Sequence, residues 1–91
     1  MVASLFPLGR TVITPGALAV CTSFPMPPEI LLVRHLMGDW SDMGKEDEAT
    51  NWQSIDDASR ILSAYQVGSH RFYVITEADR ETTTILLAEE Y

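Results

Sequence analysis

His35, Asp39 and Asp42 are the residues whose types and spacing first suggest chemistry: one imidazole followed four and seven positions later by a carboxylate. Such a trio could hold a divalent cation with an open coordination position, or share a proton. The structural alternative is that His35 lies in the last turn of a helix, where positive charge complements the dipole, while the aspartates cap the next helix. Cys21 and a histidine would make a nucleophile–base pair, but Cys21 sits in an apolar stretch, where a free cysteine usually behaves as a small core residue. His70 follows a turn signal and has no evident partner. Glu77 and Asp79 flank a turn beside Arg80, where carboxylates commonly bond backbone amides or a neighbouring arginine. A phosphate-binding glycine loop, a nucleophile elbow and an HExxH helix are all absent. The chain carries no specific catalytic signature and implies no cofactor.

The elements that must position these residues follow from periodicity and punctuation. Arg10–Thr14 reads as a short first strand, and Thr14 can cap a helix with Pro15 at its first position and Ala17–Cys21 in its body. Pro27 and Pro28 begin a second helix. Ile30, Leu31, Leu32, Val33, Leu36 and Met37 leave it almost no polar face, which predicts a central buried helix stopped by Gly38. After the loop 39–44, Lys45–Ile55 reads as a third helix with a thin apolar stripe of Ala49, Trp52 and Ile55 and a wide acidic face. Arg60–Val67, His70–Thr76 and Thr82–Leu87 are β-rich runs separated by Gly68-Ser69 and by the charged turn Glu77–Glu81. The expected fold is α+β: a single domain over residues 1–91, built as a two-layer sandwich. A short N-terminal strand and three helices precede a three-stranded antiparallel meander, with the helices on one side of the sheet.

Composition narrows the function. The 91 residues contain one cysteine, which rules out a disulfide framework or a cysteine-based zinc site within one chain. No run of 18 apolar residues suggests a membrane span, and the stretch Met1–Pro7 lacks the marks of a secretory signal, so a cytoplasmic protein is expected. The formal net charge is −7. Residues 39–57 hold seven carboxylates against Lys45, and residues 77–91 hold five against Arg80. This argues against direct nucleic-acid binding, which wants a basic stripe, and suits a basic protein partner. The bland reading is that the charge keeps a small protein soluble. If helical, the 46–57 segment would be about 18 Å long with one carboxylate per roughly 3.6 Å, against one charge per about 1.7 Å of duplex DNA. It could mimic a nucleic acid partially, not fully. Trp40, between Asp39 and Asp42, would serve either as an interface anchor or as a loop residue folded back onto a thin core.

Several segments carry a resemblance: Leu8-Gly9-x-x-Val12-x-Thr14-x-Gly16-Ala17, Arg34-His35-x-x-Gly38-Asp39-Trp40-x-Asp42, Glu46-Asp47 with Asn51, Arg60–Tyr65, and Val74-Ile75-Thr76-Glu77-Ala78-Asp79-Arg80 with Thr83-Thr84 and Leu86-Leu87. Over nearly the whole chain they resemble a family of small proteins of bacterial plasmids, integrated elements and prophages, and are similar to type I anti-CRISPR proteins. The chain departs from that pattern at Ser41 and Ala88, where glycine and proline are expected. The resemblance implies no catalytic residues. It implies a non-enzymatic inhibitor, encoded by a mobile element, that binds a basic DNA-binding surface of a host defence protein, foremost a type I Cascade subunit. The expected partner-binding residues are Asp39, Trp40, Asp42, Glu46, Asp47, Glu48, Asp56 and Asp57. Two alternatives stand beside it: a metal-dependent enzyme or metal-binding regulator centred on His35, Asp39 and Asp42, and a small structural subunit of a plasmid-encoded complex.

Overall fold

A computed structural model describes residues 4–91. The elements run β1 (Arg10–Ile13), α1 (Pro15–Ser23), α2 (Glu29–Leu36), α3 (Lys45–Asp57), β2 (Ile61–Val67), β3 (His70–Thr76) and β4 (Thr82–Leu87), then a 3₁₀ turn at Ala88–Glu90. The fold is the α+β two-layer arrangement that the sequence predicts, with one difference in the sheet. β2, β3 and β4 form the antiparallel meander, but β1 adds to β4 in parallel, so the sheet is mixed and its order is β1-β4-β3-β2. Gly9 explains the parallel docking. Its φ is +65°, and a Cβ there would overlap the carbonyls of Arg80 and Glu81 at the start of β4. Only a glycine lets the head of β1 enter beside the head of β4.

Local signals account for most boundaries. Thr14 accepts a hydrogen bond from the Ala17 N–H at 3.1 Å, with Pro15 in the first turn. α2 ends at Leu36, and Gly38, just past the Met37 cap, takes φ +74°. Gly68-Ser69 makes a two-residue hairpin turn between β2 and β3. At the β3–β4 turn Arg80, not a glycine, adopts φ +62°; its guanidinium donates to the carbonyls of Ser54, Ser59 and Glu77, which ties the turn to the end of α3. Asp79 accepts from the Glu81 N–H there, as turn carboxylates do.

The main core lies between the sheet and helices α1 and α2: Ala17, Cys21, Leu31, Tyr65, Phe72 and Val74, closed by Ile85 and Leu87. A second cluster of Phe6, Trp40 and Ile61 lies nearer α3. Two helix expectations are corrected. α2 is not buried all round: Leu31 and His35 point inward, while Ile30, Val33 and Met37 are each about half exposed. At about 100° per residue these three share one stripe, so a sheet with helices on one face leaves α2 an open outer side. α3 does not pack through Ala49 and Trp52, which are both exposed; its buried residues are Asn51 and Ser54. It lies along the β2 edge and makes contact there through hydrogen bonds, with Ile55 reaching the second cluster.

Candidate functional site

The residues singled out by sequence fall into three separate places. The first is a closed polar network inside the core. His35 is 0% exposed. Its Nδ1 meets Ser63, and its Nε2 lies 2.8 Å from Thr76 Oγ1. Trp40 Nε1–H donates to Ser63 Oγ at 2.6 Å, Thr76 and Thr83 hydroxyls lie 2.7 Å apart, and Thr83 donates to the Leu8 carbonyl at 2.7 Å. The two ends fix the direction of every proton, because an indole can only donate and a carbonyl can only accept. Thr83 gives its proton to Leu8, so it accepts from Thr76, which therefore accepts from His35 Nε2–H. His35 Nδ1 then accepts from Ser63, which accepts from Trp40. The imidazole is neutral in one tautomer, and burial drives its pKa down from 6.5 to about 3.

This overturns two expectations. His35 supplies no positive charge to the end of α2, and both its ring nitrogens are already engaged, so it offers no lone pair to a metal. Among the described residues no cluster of three histidine, cysteine or acidic side chains is placed to hold one. Trp40 is 2% exposed and its ring fills the second core cluster, which corrects its reading as an interface anchor. Ser63 and His35 resemble a nucleophile–base pair only in composition, since both are sealed from solvent. The sequence signal for this network was there but faint: Ser63, Thr76 and Thr83 are hydroxyl residues at inward positions of strands otherwise filled with apolar side chains.

The second place is an ion cluster at the end of α2. Arg34 Nε bonds Asp39 at 2.7 Å and its Nη2 approaches Asp42 at 3.5 Å, while its guanidinium lies 4.3 Å above the Tyr65 ring. The Arg34 hydrogen bond, supported by Ser41, holds the Asp39 carboxyl below its usual range. Asp42 also accepts from the Gln66 N–H at the β2 edge. Asp39 and Asp42 are thus neutralised and structurally occupied, and they do not join an open acidic surface. Tyr65 OH is the buried side-chain polar atom left without a partner among the described residues, and burial raises its pKa to about 12. Cys21 is buried in the main core and its thiol pKa is pushed up by desolvation and by Glu29, which makes it a poor nucleophile.

The third place is the outer side of α3. With about 100° per residue, Glu46, Gln53, Asp56 and Asp57 fall within an arc of about 100° that points away from buried Asn51 and Ser54. Asp47 turns instead toward a cleft of about 280 Å³ between α3 and β2, which Met43, Asn51, Arg71 and Tyr73 also line. Glu48 is partly buried. Trp52, at the margin of the outer face, is 46% exposed and rests edge-on against Trp40 with ring centroids 5.1 Å apart. Among the described residues none of the five α3 carboxylates has a cation within ion-pair distance, since the ion pairs there all belong to Arg34. Of the eight expected partner-binding residues, the structure gathers Glu46, Asp56 and Asp57 on one open face, turns Asp47 to the sheet side and Glu48 away from that face, and separates Asp39, Trp40 and Asp42 from it. Comparison with protein-family models, curated proteins and solved structures finds no match to this chain.

Proposed function

We propose that the protein is a non-enzymatic inhibitor that docks the outer face of α3 onto a basic, nucleic-acid-binding surface. The target its resemblance suggests is a type I CRISPR Cascade complex, met in the bacterial cytoplasm by a protein that a mobile element encodes. The observation that carries this reading is the pairing of unneutralised carboxylates with a half-exposed tryptophan on one helix face. Glu46, Asp56 and Asp57 would supply steering and specificity, and Trp52 the anchoring contact area. Trp40 supports it from below, so little side-chain freedom remains to be lost on binding.

The test is a binding titration of purified type I Cascade with wild type, the triple variant Glu46→Lys/Asp56→Lys/Asp57→Lys, and Trp52→Ala. Wild-type affinity is expected to fall as salt rises. The triple variant should lose at least roughly tenfold, mainly in association rate, and Trp52→Ala roughly tenfold or more, mainly in dissociation rate. Equal affinity of the folded triple variant and wild type would sink the electrostatic reading. A second reading, a structural subunit of a larger complex, draws on the open stripe of Ile30, Val33 and Met37. It predicts that Val33→Asp, not the α3 variant, disrupts assembly.

A further inference from the structure

The two edges of the sheet are finished differently. In β2 the residues 62, 64 and 66 turn their peptide groups outward, and side chains close that edge. Asn51 donates to the Leu62 carbonyl at 2.8 Å and accepts from its N–H at 3.2 Å, and Asp42 takes the Gln66 N–H at 3.1 Å. The opposite edge has no such protection. Along β1 the amides of Arg10 and Thr14 bond the Glu81 and Ile85 carbonyls of β4. By the two-residue period of a strand, Thr11 and Ile13 therefore direct their N–H and C=O groups away from the sheet. β1 is only four residues long and begins with the exposed Arg10, both of which blunt an edge, but it carries no proline, and Thr11 and Ile13 are uncharged.

We infer that β1 pairs with β1 of a second copy of this chain, antiparallel about a two-fold axis at Val12, to give one continuous eight-stranded sheet. The register follows from the edge. Thr11 and Ile13 are the outward residues, so each Thr11 meets Ile13 of the second copy in a reciprocal hydrogen-bonded pair, and four ladder bonds form with Val12 facing Val12. Two further observations select a second copy as the occupant. In this register Arg10 lies opposite Thr14 of the second copy. Thr14 Oγ1 holds the Glu90 carboxylate at 2.7 Å. Glu90 presses on Gly16, where a Cβ would meet it at 2.6 Å, and has no cation of its own among the described residues. Arg10 likewise has no ion-pair partner there. Each copy thus brings the cation that the other lacks. On the helix side, a cleft of about 290 Å³ lined by Thr11, Ile13, Pro28, Glu29, Leu32 and Ile85 opens along the same edge. The second copy's Ile13 enters beside it.

Sedimentation equilibrium over a range of concentrations tests the pairing, with two variants that keep the monomer intact. Thr11→Pro deletes an N–H that the single chain does not use, on an edge strand where proline is tolerated. Val12→Cys places two thiols across a non-hydrogen-bonded pair about 4.5 Å apart at Cα, within disulfide reach. Wild type is expected to show a reversible monomer–dimer equilibrium that strengthens with salt, because two copies of charge −7 repel. Thr11→Pro should be monomeric with an unchanged circular dichroism spectrum. Oxidised Val12→Cys should run on a non-reducing gel at twice the 10.1 kDa monomer mass. A wild type that stays monomeric at every concentration overturns the inference and leaves the edge to a different chain. A dimer that survives Thr11→Pro, or that Val12→Cys cannot cross-link, overturns it as well.

Discussion

Ser63 is the residue on which the interior depends most. Its hydroxyl accepts from Trp40 and donates to His35, so it links the second core cluster to the sheet. Ser63→Ala would leave the Trp40 N–H and the His35 Nδ1 lone pair buried without partners. Each orphan costs about 1–3 kcal/mol, so a loss of roughly 2–6 kcal/mol is expected in urea unfolding. A change under about 0.5 kcal/mol would show that the network is not a stabilising unit. His35 adds a pH dependence. Its folded pKa, about 3, lies below the 6.5 of the free group. As pH falls below about 6.5 the unfolded chain takes up a proton that the folded chain refuses. The contribution is therefore complete above that value and lost toward pH 3, at about 1.4 kcal/mol per pH unit. His35→Gln, which can still accept from Ser63 and donate to Thr76, should flatten this slope between pH 6.5 and 4.5. An unchanged slope would assign the dependence to other groups.

At the scale of elements, α3 shows how a helix can be held by its polar residues. Its amide side chain at Asn51 imitates a neighbouring strand at Leu62, and the Ser54 carbonyl receives Arg80 from the far turn. Asn51→Ala should destabilise the fold by about 2 kcal/mol or more, because the Leu62 N–H and C=O lose their partners. It should also raise light scattering on heating, as an unsealed strand edge invites pairing. A variant with wild-type stability and no added scattering would show that α3 does not protect this edge. The hydrophobic-stripe reading of α3 failed for the same reason: Asn51 and Ser54 are buried through hydrogen bonds, which apolar periodicity does not register. It failed for α2 in the opposite sense. Five apolar residues in that helix, with Met37 just past its end, suggest burial on every side, but a layer lying on one sheet face covers only one side of it.

For the whole molecule, charge and edge work in opposite directions with salt. Docking of the α3 carboxylates on a basic surface weakens as salt screens the attraction, while pairing of two acidic copies through β1 strengthens as it screens the repulsion. The two surfaces are built from different residues, Glu46, Asp56 and Asp57 on one and Thr11 and Ile13 on the other. Thr11→Pro should leave the docking affinity of each single α3 face unchanged, whereas the triple α3 variant, which takes the net charge from −7 to −1, should itself favour the dimer by removing repulsion. The proposed dimer would present two acidic faces to its partner.

Much of this protein is determined locally, and that much was legible. The Thr14-Pro15 cap, the Gly68-Ser69 hairpin and the three β-rich runs are set by backbone preference and side-chain period, which act over a few residues. The α+β class follows from their order. What the tertiary structure decided depends on residues far apart in the chain. Gly9 docks β1 in parallel through contact with residues 80 and 81. Ser63, 28 positions from His35, turns a possible ligand into a neutral core residue. Arg34 consumes Asp39 and Asp42 because the loop after Gly38 folds back over it. Trp40 goes in and Trp52 stays out because only one of them has Ser63 within reach of its indole N–H. Local sequence fixes which elements form, and long-range hydrogen bonding fixes which of their polar residues remain free to act.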